Sequence, residues 1–147
     1  MTEMIGMGRL KPQIQSGGSA LTTVREIMST ELVTIEPSAN LTEAVHAMSA
    51  GRSGSVLVLQ AGSLVGIFTE RDILRALAHS AKADLARISS VTQWMSRDPV
   101  TIGPDTTVPE ALNQMLFGGF RHLPVMDKDA VVGMVSMRDL AKSIAKE

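Results

Sequence analysis

The sequence predicts an α+β fold made of two tandem repeats, each running strand–helix–strand–strand–helix and related to the other by a pseudo-two-fold axis. Three observations predict it. A single register shift of 67 residues carries Met28-Ser29 onto Met95-Ser96 and Val33-Thr34-Ile35 onto Val100-Thr101-Ile102. It also carries Gly66 onto Gly133 and Arg71-Asp72 onto Arg138-Asp139, with no gap between Val24 and Leu77. Self-similarity held at one spacing marks a duplicated structural unit. Within each copy the apolar pattern changes from a short β-branched run to helical spacing and back again. Finally, a unit of about 55 residues buries too small a fraction of its surface to be stable alone. The two copies are therefore expected to pack sheet to sheet around one shared core.

The elements follow in order. Val33 to Ile35 is β-branched and ends at Pro37, which fits a short strand. Asn40-Leu41-Thr42-Glu43 has the form of a capping box, and Leu41, Ala44, Val45 and Met48 then continue at helical spacing. Thr107 and Glu110 form the matching cap, with Val108, Ala111, Leu112 and Met115 as the matching stripe. Gly51 and Gly118 are read as helix stops. Two strands follow, Ser55 to Leu59 and Leu64 to Phe68, across a turn at Ala61-Gly62-Ser63. Their counterparts are Leu123 to Met126 and Val131 to Val135, around Lys128-Asp129. A last helix starts near Thr69 and again near Ser136. The boundaries read as a flexible arm at 1–22, repeat one at 23–77, a partly helical connector at 78–90 and repeat two at 91–144. Gly6, Gly8 and Ser16-Gly17-Gly18-Ser19 make the arm's backbone costly to order, although it can also pair with a partner.

Composition removes several classes of function. Of 147 residues, 14 are basic and 15 acidic, so no basic surface for nucleic acid or an anionic membrane is expected. The absence of cysteine excludes disulfides, thiolate metal sites and a cysteine nucleophile. No apolar run approaches the roughly 18 residues of a membrane span. Met1 to Ala20 lacks the continuous apolar stretch of a secretory signal. The cytoplasm is the expected location. His46, His79 and His122 have no ligand-like spacing, so no metal is expected, and no nucleophile–base–orienter set can be assembled. The ten methionines read as core filling.

Each repeat resembles a CBS domain, the module named after cystathionine β-synthase. Val24-Arg25-Glu26-Ile27-Met28 and Val91-Thr92-Gln93-Trp94-Met95 are similar to the family's lead-in helix. Arg121-His122-Leu123-Pro124-Val125 is similar to its second strand. Gly66-Ile67-Phe68-Thr69-Glu70-Arg71-Asp72 and Gly133-Met134-Val135-Ser136-Met137-Arg138-Asp139 resemble its passage from third strand to helix. The resemblance covers about residues 23 to 144 and implies a tandem CBS-domain pair, or Bateman module. Such pairs bind adenosine-containing regulatory ligands (AMP, ADP, ATP, S-adenosylmethionine or a dinucleotide such as NAD) in two clefts between the repeats. They also form homodimers through helices on their outer faces.

The residues suit that chemistry. An ionised carboxylate accepts strong hydrogen bonds from both hydroxyls of a ribose, and Asp72 and Asp139 are the candidates. Thr69 and Ser136, with free amides at the start of a helix, can hold a phosphate oxygen, and Arg71 and Arg138 carry charge beside them. Thr69-x-x-Asp72 and Ser136-x-x-Asp139 equally read as capping boxes, and one hydroxyl can serve either role. The resemblance puts Thr34 and Thr101 beside the adenine and lets Ile35 and Ile102 sandwich it. Backbone groups at Ser55-Val56 and His122-Leu123 can read its edge. Arg121, His122 and Pro124 give repeat two a fuller match than repeat one, where Gly54, Ser55 and Leu57 stand instead. The two clefts are therefore expected to differ in affinity. The leading expectation is a non-catalytic regulatory module acting on an unknown protein, with no resident cofactor. The alternative is a dimerisation or interaction module with no nucleotide ligand.

Overall fold

The computed structural model describes residues 21–79 and 83–146. The arm expected at residues 1–20 and residues 80–82 of the connector lie outside the described residues. A short helix α1 (Val24–Ile27) leads into β1 (Thr34–Ile35), α2 (Leu41–Gly51), β2 (Ser55–Gln60), β3 (Ser63–Thr69) and α3 (Glu70–His79). After α4 (Ala83–Ile88) and a single 3₁₀ turn (Val91–Gln93) come β4 (Ser96–Arg97), α5 (Val108–Gly118), β5 (His122–Asp127), β6 (Ala130–Ser136) and α6 (Met137–Ala145). The duplicated α+β order is as the sequence predicts. The expected strand Val100–Ile102 is reduced to one parallel bridge between Ile102 and Val125.

Local chemistry fixes the helix starts. Asn40 Oδ1 accepts from the Glu43 amide at 2.9 Å, and the Glu43 carboxylate accepts from the Asn40 amide at 2.9 Å. Thr107 and Glu110 repeat the arrangement. These reciprocal bonds satisfy amides that the first helical turn leaves without partners. The helix ends differ from expectation. Gly51 and Gly118 remain inside their helices, and the left-handed caps are Arg52 (φ 51°) and Gly119 (φ 75°). Gly51 is small for another reason: a Cβ there would run into the Val33 side chain, as one at Gly118 would run into the Phe120 ring.

In the first sheet, β1 runs parallel to β2 through Thr34↔Leu57, and β2 pairs antiparallel with β3. In the second, β5 pairs antiparallel with β6. The two-residue Ala61-Gly62 loop joins β2 to β3 with both residues at positive φ, which suits the twist of a tight hairpin. Strand alternation sends Val56 and Val58 to one face and Ser55 and Leu57 to the other.

The apolar interior forms two clusters, not the single shared core expected. Val56, Val58 and Phe68 gather with Leu41, Ala44 and Met48 in one, and Leu123, Val125 and Val135 with Val108, Ala111 and Met115 in the other. The repeats are tied by exchange. Val24, at the start of repeat one, is fully buried in the second cluster, while Val91 and Met95, at the start of repeat two, complete the first. Backbone bonds repeat the exchange. Val24 N–H donates to Thr106 O at 2.8 Å and Val108 N–H to Thr22 O at 2.9 Å; Val91 N–H donates to Ala39 O and Leu41 N–H to Ser89 O, both at 2.9 Å. Ser29 bridges Met134 on β6, and Ser96 pairs with Ile67 on β3.

Gly66 and Gly133 sit where these segments cross. A Cβ on Gly66 would meet Met95 Sδ and come within 3.0 Å of the Ser96 carbonyl oxygen. One on Gly133 would meet the Met28 side chain and come within 3.1 Å of the Ser29 carbonyl oxygen. Gly66→Ala and Gly133→Ala should each lower stability by about 1–3 kcal/mol, since backbone oxygens cannot swing aside as a side chain can. Urea unfolding should show a lower midpoint at constant slope. An unchanged midpoint would mean the crossing segments yield freely.

Candidate functional site

The exchange leaves a cleft of about 740 Å³ between the repeats. Its apolar lining comes from both: Val33 and Leu57 from the first, Met134, Met137 and Ala141 from the second. Arg52, Arg121, Arg138 and Lys142 bring positive charge, and Glu31, Glu70 and Asp139 bring negative charge. Arg52 stands at the left-handed end of α2, so the helix cap also sets the direction of a cleft cation. Gly54 admits close neighbours from both repeats. A Cβ there would lie 2.5 Å from Glu70 Oε1 and 3.4 Å from His122 Nε2.

Of the residues singled out from sequence, Arg121, His122, Ser136, Arg138 and Asp139 converge on this cleft. The capping reading and the cleft reading of Ser136 and Asp139 are both realised. Asp139 Oδ2 accepts from the Ser136 amide at 2.9 Å, and Ser136 Oγ accepts from the Asp139 amide at 3.1 Å. The Ser136 hydroxyl proton is left to donate outward, and Asp139 has no ion pair among the described residues. The expected free amides at the helix start are corrected. Ser136 N–H is used by Asp139, and Met137 N–H donates to Arg121 O at 2.8 Å.

Repeat one differs. Asp72 is only 4% exposed. Its Oδ2 accepts from the Thr69 amide at 2.9 Å and the Thr69 hydroxyl at 3.3 Å. Its Oδ1 accepts from Arg75 Nη1 at 2.8 Å, and the same nitrogen donates to the Trp94 carbonyl at 3.3 Å. In repeat two the residue corresponding to Arg75 is Lys142, which forms no such pair among the described residues and lines the cleft. Thr69, Arg71 and Asp72 do not line this cleft.

The remaining expectations are placed elsewhere. Ile35, half-buried, packs against the first core and Ile102 lies within the second, and neither lines this cleft. Val56 and Leu123 are fully buried core side chains, with only backbone to offer. Pro124 is buried opposite Met134, and Thr34 and Thr101 are exposed outside the cleft lining. Sequence reasoning missed Val33, Arg52, Leu57, Glu70 and Lys142. Lys142 carried a usable signal, being one helical turn beyond Asp139 on the same face.

Burial holds the His122 imidazole below its ordinary value of 6.5. Nearby Glu70 and Asp139 oppose that shift, and Arg121 adds to it. His122 therefore favours the neutral form.

The sequence profile of the CBS domain matches residues 24–79 and 88–146. A 17.7 kDa uncharacterised protein of Acidianus ambivalens is 36% identical over 125 residues, covering 84% of this chain and 73% of that protein. A CBS domain-containing relative from Arabidopsis thaliana is much longer, and the chain spans 23% of it. Among solved structures, a CBS-domain protein of Agrobacterium tumefaciens superposes with a TM-score of 0.78 at 30% identity, covering 84% of this chain and 99% of its own. A CBS domain pair crystallised with 5′-methylthioadenosine and S-adenosyl-L-methionine also reaches 0.78, at 26% identity, covering 86% of this chain and 98% of its own.

The two aspartates should respond differently to replacement. Asp72→Ala strands the Thr69 amide and removes the partner of the half-exposed Arg75, and should cost about 1.5–3 kcal/mol in urea unfolding. Asp139→Ala removes a cap alone and should cost about 1 kcal/mol. Equal losses would contradict the difference in their partners. For His122, an unfolded chain takes up a proton first as pH falls below 6.5, so stability present above that pH is lost as pH falls towards the folded midpoint. NMR titration of the His122 imidazole should give a midpoint below 6.5, and His122→Gln should flatten the acid side of the stability profile. A midpoint at or above the ordinary value would contradict this.

Proposed function

Because the chain belongs to the CBS domain family, we propose that it is a non-catalytic regulatory module that binds an adenosine-containing ligand between its repeats and signals through its conformation or its dimer contacts. The observation that carries the reading is the Asp139 carboxylate. It lines the cleft with one oxygen committed to its helix cap and, among the described residues, no cation paired to it. The other oxygen, Oδ1, suits the adjacent hydroxyls of a ribose. The Ser136 hydroxyl, Arg121, Arg138, Lys142 and His122 offer donors to a phosphate, while Val33, Leu57 and Met134 offer an apolar bed for a base. The solved domain pair holding two adenosyl compounds supports the ligand class. AMP, ADP, ATP, NAD and S-adenosylmethionine all carry the adenosine that this cleft would grip.

The closed state of Asp72 supports one ligand per chain. In this reading Thr69, Asp72 and Arg75 hold repeat one together and repeat two binds. Regulation requires the ligand to favour one of two conformations, because equal affinity for both shifts nothing. Exposed apolar side chains on the outer helices supply a dimer surface: Phe117 is 98% exposed and Leu116 65% on α5, and Leu74 is 68% exposed on α3. The cytoplasm is the proposed location, and none of the described helices is long and apolar enough to cross a membrane. The same apolar surface favours a second reading, an assembly module with no nucleotide ligand.

Thermal unfolding with AMP, ADP, ATP, NAD and S-adenosylmethionine separates the two. A ligand at 100 times its Kd should add about 2.7 kcal/mol, or roughly 5–10 °C in Tm. Asp139→Ala should abolish the shift, and calorimetry should count one site per chain. No shift with any compound favours the assembly module, and two equal sites contradict the closed Asp72. In sedimentation, Phe117→Glu should convert a dimer to a monomer without loss of Tm; an unchanged mass would place the interface elsewhere.

A further inference from the structure

Ser55 stands on the cleft face of β2, in line with Leu57, and is 2% exposed. Its amide accepts no help from its own hydroxyl: that N–H donates to Ser53 Oγ at 3.2 Å, and Ser53 Oγ donates to Ser55 O at 2.8 Å. Ser55 Oγ itself is buried with no hydrogen-bond partner, the one such side-chain atom among the described residues. A buried hydroxyl without a partner is a standing cost to the fold, and native structures rarely keep one. An alanine or valine would fill this strand position at no such cost. Ser55 pairs across the hairpin with Thr69, just as His122 pairs with Ser136, so the pseudo-two-fold axis relates Ser55 to His122 and the cleft draws on both.

The surroundings of the hydroxyl are uncommitted as well. Glu70 and His122 approach the neighbouring Gly54 from opposite repeats, and neither side chain has a hydrogen bond among the described residues. Ser55 Oγ is sealed from solvent, so a ligand reaches it only when neighbouring atoms move aside.

We propose that Ser55 is a ligand-binding residue of the inter-repeat cleft, its hydroxyl held without a protein partner so that it bonds a polar group of the bound nucleotide. This rests on the adenosine-ligand reading above. A hydroxyl donates and accepts, so it can meet a phosphate oxygen, a ribose hydroxyl or a base nitrogen.

Ser55→Ala tests it through two readouts that should move in opposite directions. Without ligand, the variant should melt about 2–6 °C higher, because a buried unpartnered hydroxyl is gone. Calorimetric titration with AMP, and separately with ATP, should show affinity about 3- to 30-fold weaker than wild type for whichever binds. A lower Tm would show that the hydroxyl has a structural partner, and unchanged affinity would show that it does not touch the ligand; either overturns the proposal. If wild type binds and Asp139→Ala does not, the adenosine reading stands whatever Ser55→Ala does. If wild type binds none of AMP, ADP, ATP, NAD and S-adenosylmethionine, both the reading and the role of Ser55 fall.

Discussion

The fold depends on a reciprocal exchange of short segments. Val24 fills the core of the second repeat and Val91 that of the first, and paired backbone bonds fix each segment in place. Each repeat is thus incomplete without the other, which joins two small apolar clusters into one cooperative unit. The exchange explains why glycine stands at 66 and 133: these are the points where one repeat's backbone passes over the other's strand. The cleft follows from the same arrangement. It lies where the two cleft-facing strand surfaces cannot close on each other, so its lining alternates between residues from both halves of the chain.

Much of this was legible in the sequence, for identifiable reasons. Helix starts were plain, because Asn40–Glu43 and Thr107–Glu110 are local patterns whose hydrogen bonds form within one turn. The repeat was legible because duplication preserves spacing. Helix ends were less so. Gly51 and Gly118 looked like left-handed stops, but they are small because Val33 and Phe120 pack against them, a contact between distant or folded-back residues that spacing cannot show. The division into two cores was hidden for a similar reason. Which repeat receives a lead-in is a matter of topology, and the pattern of Val24 or Val91 is the same either way.

The site was legible in part. Ser136 and Asp139 were visible because their motif is short, and Arg121 and His122 because they break the symmetry between repeats. Ile35 and Ile102 stand outside the lining of this cleft, and an apolar strand residue carries no mark of the face it occupies. The difference between Asp72 and Asp139 turns on Arg75, whose guanidinium reaches both the carboxylate and the Trp94 carbonyl. Lys142, at the matching position of repeat two, makes no such pair among the described residues and lines the cleft instead. Duplicate sequences thus hold duplicate carboxylates to different work, with one serving the architecture and the other left open.

The exchange also bears on how the chain is made. Synthesis runs from the N-terminus, so Val24 and Ser29 emerge long before Thr106 and Met134, their partners across the module. At about 5–20 residues per second, the first lead-in waits on the order of ten seconds for the surface that will receive it. Repeat one has no such wait, since Val91 and Met95 follow it directly. The nascent chain therefore closes its first repeat before the stretch from Val24 to Ser29 has anywhere to go, and that stretch docks last, as the clasp that finishes the second repeat.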